Sequence, residues 1–292
     1  MLFTPRNYPA KIILYGEYAT LVGADALALP LAHFSASWQT SISDIATQQK
    51  IFFKLLDYLQ NRYEKGDLLG KFDFAQVRNS LKSNNLYLQS DIPSGYGAGS
   101  SGSLVAAVYD RFVLEKTTDL LLLKQIFGEM ESFFHGTSSG IDPLVSYVQT
   151  PLLIAANGTI KAVTLPKISG SFFLLDTQKA RKTEQYVHIF KQKIAKNNGF
   201  TQYCTETLTP LTNACIAALL QNKTTELAQN TRLLSAQQLE HFAEMIPENM
   251  RALWHEGLQS NDFYLKLCGA GGGGFVLGYC INGVAPIGAL FI

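Results

Sequence analysis

Charged residues are scarce in this sequence. Asp, Glu, Lys and Arg make up 16% of its 292 residues, against roughly 25% in an ordinary soluble domain. The 24 Lys and Arg residues nearly balance the 23 Asp and Glu residues, and they form no basic run. Nucleic-acid binding and attachment to anionic membranes both depend on clustered cations, so the sequence predicts neither kind of partner.

Cysteine is also sparse, and its four residues form no CxxC or Cys/His metal pattern: Cys204, Cys215, Cys268 and Cys280. We expect reduced cysteines that pack in the core. The charge-free stretch Leu267–Ile292 is long enough for a membrane span, but its many glycines favour buried strand and loop over a continuous helix. The apolar run Ile12–Tyr15 is too short for a signal peptide, and we expect a cytoplasmic protein.

The apolar pattern predicts strands and helices in mixed order without strict alternation, which favours an α+β fold. Pro166–Gly170 is the best linker candidate, and we expect two domains, over residues 1–166 and 167–292. Strands are predicted over residues 10–45, 86–92 and 264–268. Helices are predicted over residues 48–63, 103–112, 120–134, 183–195, 205–221, 224–242 and 248–259.

A glycine-rich loop lies between a predicted strand and a predicted helix. It runs from Pro93 to Gly102, with the sequence Pro-Ser-Gly-Tyr-Gly-Ala-Gly-Ser-Ser-Gly, and is called the first glycine loop below. Glycines let the backbone approach a bulky anion, and the N–H groups of the following helix attract it. Ser100 and Ser101 add hydroxyl ligands for phosphate or Mg²⁺. A plain turn with a serine N-cap stays open as an alternative. P-loop, protein-kinase and Rossmann motifs do not fit this loop and its surroundings.

A second glycine loop, Gly269–Gly274, has five glycines in six positions directly after a predicted strand. Because each glycine in regular structure costs about 0.5–1 kcal/mol relative to alanine, so many together indicate a backbone packed closely against something or held at positive φ. The alternative is a flexible turn between two strands.

Asp142 is the first candidate catalytic group. Its carboxylate can accept the proton of a hydroxyl that attacks a γ-phosphate. It can equally cap a helix that has Pro143 at its first position, and the sequence pattern alone favours the cap. Lys11, on a predicted strand, either protects a sheet edge or neutralises a developing negative charge. His135 is equally compatible with a structural and a catalytic role.

Glu131 and Glu129 both border the apolar stripe of the helix predicted over residues 120–134. A partly buried carboxylate here can complete a Mg²⁺ site with Ser101, because nucleotide-bound Mg²⁺ takes only one or two protein ligands. Glu131 is preferred for this role, with Glu129 as its rival. For either residue, a solvated position at the rim of the stripe is the default interpretation.

Four main segments of the sequence, in their order along the chain, resemble the motifs of the GHMP kinase superfamily and, within it, those of mevalonate kinase. A weaker similarity covers Asp176 and Thr177 with Arg181, Lys182 and Thr183, which resemble the start of the family's C-terminal domain. The four main segments are Pro9–Ala19, Ile92–Gly102, Glu131 with His135–Asp142, and Lys266–Gly274.

The resemblance implies a two-domain fold, with an N-terminal domain like ribosomal protein S5 domain 2 and a ferredoxin-like α+β C-terminal domain. It implies ATP and Mg²⁺ as cofactors, Asp142 as general base with Lys11 as its electrostatic partner, and Ser101 and Glu131 as Mg²⁺ ligands. The residues that it implies for ATP are Gly95, Gly97, Ala98, Gly99, Ser100, Ser101 and Gly102. The residues that it implies for the acceptor substrate are Glu17, His135, Ser139, Arg181, Thr183 and Gly271.

The implied activity is phosphorylation of the primary hydroxyl of mevalonate, which gives 5-phosphomevalonate for isoprenoid precursor synthesis. Tyr18 departs from this pattern, because mevalonate kinases usually have histidine there, and Gly-Glu-Tyr is a form seen in phosphomevalonate kinases. Phosphomevalonate kinase or a sugar kinase is therefore an alternative. A non-catalytic metabolite sensor with this fold is a second one, favoured by the short stretch after Gly274. The sequence leaves monomer and homodimer open.

Overall fold

The computed structural model describes residues 6–41, 45–181 and 183–292, except for the side chains of residues 46–48, so Lys182 lies outside the described residues. The chain forms two compact units, each assembled from several stretches of sequence. The first unit contains Met1–Lys11, Pro30–Pro93 and Gly99–Gln149, and the second contains Ile12–Leu29, Ser94–Ala98 and Thr150–Ile292. The domain boundary expected at residue 166 stays a prediction.

A five-stranded sheet has the order β1-β2-β4-β5, with β3 also paired to β2. In the first unit, the antiparallel register of β2 and β3 sets Trp38 opposite Leu88. In the second unit, β2 pairs with β4 and sets Leu27 opposite Leu153. The strands are β1 (Asn7–Tyr15), β2 (Ala26–Thr40), β3 (Leu86–Ser90), β4 (Leu152–Ile154) and β5 (Ile160–Ala162).

The helices described in the first unit are α1 (Ala46–Glu64), α2 (Phe74–Ser83), α3 (Ser100–Phe112), α4 (Leu120–His135) and α5 (Ile141–Val148). Aspartates begin two of them. Asp73 caps α2 through the N–H of Gln76, and Asp119 caps α4 through the N–H of Leu121. Helix α2 was not predicted from the sequence, and for α5 only a start at Pro143 was considered.

The second unit has a four-stranded antiparallel sheet of order β7-β8-β6-β9, with β6 (Ser171–Asp176), β7 (Phe263–Leu267), β8 (Phe275–Cys280) and β9 (Leu290–Phe291). The charge-free stretch is thus strand and loop, as predicted. A π-helical turn over Cys204–Leu208 joins α7 to α8. The helices are α6 (Thr183–Lys196), α7 (Asn198–Tyr203), α8 (Thr209–Leu220), α9 (Thr224–His241) and α10 (Glu248–Ser260).

All four cysteines are buried and none is in a disulfide, as expected from their spacing. Among the described residues, none of the helices combines the length and apolar character that crossing a bilayer would need.

Candidate active site

Lys11 and Asp142 form a short ion pair in the first unit. The Lys11 Nζ lies 2.6 Å from Asp142 Oδ1, and the two side chains are 6% and 30% exposed. A lysine this buried requires an anionic partner, because an unpaired charge away from water is costly. The Asp142 carboxylate is thus held in one orientation while part of it stays accessible to a ligand.

Asp142 does not cap its helix, so that prediction is wrong. Helix α5 begins at Ile141, and its N-cap is Gly140 with a φ of 72°. Asp142 lies in the first helical turn, where its negative charge interacts favourably with the positive end of the helix dipole. A glycine is required at the cap because a Cβ there would overlap the Lys124 carbonyl and lie 2.7 Å from the Gly128 nitrogen of α4.

Residues 99–102 of the first glycine loop lead into α3 beside Asp142. Gly99 adopts a φ of 76° just before the helix begins at Ser100. A Cβ on Gly102 would lie 2.8 Å from the Asp142 backbone, so glycine allows α3 to pack directly against α5. The first N–H groups of a helix have no acceptors within it, and here they lie next to Lys11 and Asp142, an arrangement that fits a phosphate group.

Glu131 of α4 is buried beside Ser101. Its Oε1 accepts a hydrogen bond from Ser101 Oγ at 3.0 Å, and its Oε2 accepts one from Ser138 Oγ at 2.5 Å. His135 Nε2 is 3.1 Å from the same Ser101 hydroxyl. Burial, followed by the negative charge of Asp142, raises the pKa of Glu131 to about 7.

This cluster fits a magnesium ion bound together with phosphate. Glu131 and Asp142 bring two carboxylates against the single ammonium of Lys11, and the Ser101 hydroxyl adds a neutral oxygen. Within residues 6–41, 45–181 and 183–292, no group of three or more His, Cys, Asp and Glu converges as a complete metal site. Mg²⁺ nevertheless needs only one or two protein oxygens when phosphates and water supply the rest.

Glu129 has a different position from Glu131. Its Oε2 accepts a hydrogen bond from the Leu69 backbone N–H at 2.8 Å. Of the two rival glutamates, it is therefore Glu131 that the structure brings to Ser101.

A cleft of about 500 Å³ adjoins this cluster within the first unit. Ser138 connects them, since it lines the cleft and also donates to Glu131. The exposed Ser139 is on the cleft wall, together with Arg62 and Lys124. The cleft is thus lined by hydroxyl groups, by two cationic residues and by Glu129.

In the second unit, Arg181 lies against both glycine loops. Its Nη1 donates to the Gly271 carbonyl at 2.7 Å, and its backbone N–H donates to the Gly95 carbonyl at 3.0 Å. A Cβ on Gly269 would lie 2.7 Å from its guanidinium, and a Cβ on Gly97 would overlap the guanidinium. Arg181 therefore contacts loop backbone, whereas Thr183 is exposed at the start of α6.

The second glycine loop is a packed turn. The Gly272 N–H donates to the Met245 carbonyl at 2.5 Å, and the Gly274 N–H donates to the Lys179 carbonyl at 2.6 Å. Side chains are excluded by close neighbours: a Cβ on Gly274 would lie 2.6 Å from the Tyr96 carbonyl oxygen. Protein contacts alone thus require glycine here, and Gly271, expected to contact substrate, packs on Met245.

Glu17 is buried in the second unit, and its expected contact with the acceptor stays a prediction. It pairs with Lys266 at 2.5 Å, and the two side chains are 2% and 1% exposed. Lys266 also donates to the Leu267 carbonyl at 2.7 Å. This partner was not predicted from the sequence, although a lysine within the otherwise apolar strand β7 is a signal that could have identified it.

Residues 51–149 match the family model described as the GHMP kinases N terminal domain. The chain is 30% identical over 169 residues to the mevalonate kinase of Pyrococcus abyssi, and this match spans 48% of each protein, about half the length of that relative. It is 24% identical over 303 residues to the mevalonate kinase of Pyrococcus horikoshii, across 95% of this chain and 87% of that one.

Two solved structures have the same fold at low identity. Streptococcus pneumoniae phosphomevalonate kinase, in complex with phosphomevalonate and AMPPNP, aligns with a TM-score of 0.68 and 18% identity over 99% of this chain and 100% of that one. Leishmania major mevalonate kinase, in complex with R-mevalonate, aligns with a TM-score of 0.64 and 18% identity over 95% and 87%. The expected fold and resemblance are therefore confirmed: the chain has the two-domain α+β fold of the GHMP kinase superfamily and resembles its mevalonate kinases in sequence.

Proposed function

We propose that the protein is an ATP- and Mg²⁺-dependent kinase that phosphorylates the primary hydroxyl of mevalonate to give 5-phosphomevalonate. The observation that carries this proposal is the Lys11–Asp142 ion pair, which lies beside the start of α3 and within electrostatic reach of Glu131. A non-catalytic sensor has no need of a carboxylate held accessible in this way, so the pair favours an enzyme.

The nucleotide phosphates would be held by the start of α3, from Gly99 to Gly102. Ser101 and Glu131 would hold the magnesium ion through their oxygens. When bound, ATP supplies the phosphoryl group and Mg²⁺ neutralises negative charge on the phosphates. The ATP roles carried over to Gly95, Gly97 and Ala98 stay predictions.

Asp142 acts on the acceptor. Its Oδ1 is paired with Lys11, so the carboxylate retains Oδ2 to accept the proton of the attacking hydroxyl. Lys11 fixes the orientation of that carboxylate and places a positive charge where negative charge develops on the attacking oxygen. Little covalent chemistry is required of the protein, because phosphoryl transfer is catalysed mainly by positioning and charge stabilisation.

Mevalonate is the proposed acceptor because the curated relatives are named mevalonate kinases. The acceptor contacts expected of His135, Ser139, Arg181 and Thr183 stay predictions. Phosphomevalonate is a second candidate acceptor. It is favoured by the Gly-Glu-Tyr sequence at Tyr18 and by the likeness to the S. pneumoniae kinase in complex with phosphomevalonate.

The experiment is an assay of ADP release by the purified protein with ATP, Mg²⁺ and one acceptor at a time: mevalonate, phosphomevalonate, galactose or homoserine. We expect the highest kcat/KM with mevalonate. Turnover of another acceptor alone would refute the mevalonate assignment but not the kinase. Nucleotide binding without turnover of any acceptor would favour the sensor.

A further inference from the structure

Tyr18 lies in the second unit with its hydroxyl buried. The hydroxyl donates to the Ala270 carbonyl of the second glycine loop at 2.7 Å, and the two residues are 6% and 7% exposed. The ring stacks on Phe190 and Phe242, with centroid distances of 4.7 and 5.6 Å. This hydroxyl is used inside the protein, so it is not offered to a ligand.

The backbone of Tyr18 adopts a strained conformation where its side chain makes this contact. Its φ is 53°, in the left-handed half of conformational space that a bulky side chain rarely adopts. Such a conformation persists only where the surrounding packing enforces it. On one side the buried Glu17–Lys266 ion pair fixes the preceding residue, and on the other the two stacked phenylalanines fix the ring.

The loop that Tyr18 holds is in turn packed on the first glycine loop. Gly274 lies against the Tyr96 backbone. The Arg181 guanidinium lies against Gly97 and donates a hydrogen bond to the carbonyl of Gly271, the residue after Ala270. Because of these contacts, a shift of the Ala270 carbonyl would also shift the backbone of residues 95–97.

We propose that Tyr18 is a positioning residue, which fixes the second glycine loop through Ala270 and thereby sets the backbone of residues 95–97 for nucleotide. The part of this proposal that concerns nucleotide binding rests on the proposed function. On this proposal, the tyrosine that replaces the usual histidine serves to anchor the second glycine loop, and it does not make the protein prefer phosphomevalonate as acceptor.

The test compares wild type with Tyr18→Phe, which keeps the stacked ring and removes only the hydroxyl. Tyr264→Phe is the matched control, because its hydroxyl contacts Asn261 at 3.4 Å and not the loop. Hydrogen exchange is measured by mass spectrometry on peptides that cover residues 94–98 and 268–275. Because one buried hydrogen bond is lost, we expect exchange in both segments to be about three- to tenfold faster in Tyr18→Phe and unchanged in the control.

Kinetics provide the second readout. The KM for ATP should rise about three- to tenfold in Tyr18→Phe, while the ratio of kcat/KM for mevalonate to that for phosphomevalonate stays constant. Tyr18→His, whose shorter ring does not reach Ala270, should behave in the same way. A lower melting temperature without either change would indicate a purely structural role and overturn the proposal.

A changed acceptor ratio with an unchanged KM for ATP would also overturn it, because Tyr18 would then read the acceptor. If wild type turns over none of the acceptors, the proposed function fails. Hydrogen exchange still decides the positioning role, since it requires no ligand.

Discussion

The hydroxyl of Ser101 at the start of α3 donates to the buried Glu131 carboxylate of α4 across 3.0 Å. These two residues are 30 positions apart in the sequence, and they are the pair proposed to hold magnesium. Glu131→Gln should therefore raise the Mg²⁺ concentration for half-maximal activity by at least about tenfold, since even indirect partners of metal ligands cost roughly 10- to 100-fold. Initial rates measured against free Mg²⁺ at saturating ATP provide the check.

Glu129→Gln is the matched control, because Glu129 contacts the Leu69 N–H and not Ser101. Equal effects of the two substitutions would contradict the assignment of Glu131 as the ligand.

The raised pKa of Glu131 predicts a pH dependence of stability. Its pKa is about 7 in the folded protein and near 4.5 for an unperturbed carboxyl. Relative to an uncharged side chain, the stability that protonated Glu131 contributes is fully present below about pH 4.5 and is lost as the pH rises through about 7. Without Mg²⁺, the free energy of unfolding of wild type relative to Glu131→Gln should thus be higher at about pH 5.5 than at about pH 8.5. Urea unfolding at both pH values measures this difference, and a pH-independent difference would contradict the raised pKa.

Asp142 and Lys11 should act as one unit in catalysis. Asp142→Asn removes the proton acceptor and the anionic partner of Lys11, and it should lower kcat by about 10²- to 10⁴-fold. Equilibrium binding of an ATP analogue should persist, because the start of α3 is unchanged. Lys11→Met removes the ion-pair partner of Asp142. If the pair acts jointly, the double variant should be little worse than Asp142→Asn alone. Fully multiplicative effects on kcat would show that the two residues act independently.

Removing one partner of the buried ion pair between Glu17 and Lys266 should strongly lower the free energy of unfolding. Lys266→Met leaves the Glu17 carboxylate buried without this partner, which should destabilise the protein by about 3–5 kcal/mol in urea unfolding. The double variant Glu17→Gln with Lys266→Met removes both charges and should recover much of that loss. No recovery would mean that packing, and not the loss of the Lys266 charge beside Glu17, causes the destabilisation.

Gly97→Ala should destabilise the protein. Gly66→Ala is the control that separates the cost of the backbone conformation from the cost of overlap with a neighbouring side chain. Gly66 has a φ of 77°, and a Cβ placed on it would have no other atom within 4 Å, so Gly66→Ala carries only the backbone cost of about 1–2 kcal/mol. Gly97 has a similar φ of 70°, but its Cβ would also overlap the Arg181 guanidinium. The guanidinium would have to shift and could lose its hydrogen bond to the Gly271 carbonyl, so Gly97→Ala should cost up to about 3 kcal/mol more and raise the KM for ATP. Equal effects of the two substitutions on urea unfolding would contradict this position of Arg181.

Most elements and both glycine loops could be predicted from the sequence, because apolar periodicity and glycine clusters are local signals. Helix α2 was missed although Asp73, Val77 and Leu81 give a cap and an apolar face, because its polar residues obscure the period. Asp142 was misassigned as a cap because proline at position 143 suggested a helix start, whereas α5 uses a left-handed glycine that begins it earlier.

Contacts between distant segments were beyond the sequence. Glu129 and Glu131 both border the same apolar stripe, so periodicity could not decide which one meets Ser101. Glu17 and Lys266 are 249 residues apart, and the motif containing Glu17 suggested a ligand contact when its carboxylate is used inside the protein. The position of Arg181 against glycine backbone depends likewise on how three segments pack together.

The contact between Gly128 of α4 and Gly140 before α5 has a consequence for the chemistry. The Cβ of an alanine at 140 would lie 2.7 Å from the Gly128 nitrogen, so the two backbones touch where neither carries a side chain. Glu131 lies about one turn beyond the first glycine, and Asp142 follows shortly after the second. The separation of the proposed proton acceptor from the proposed metal ligand is thereby set by a direct backbone contact, and one added methyl group would widen it without changing either residue.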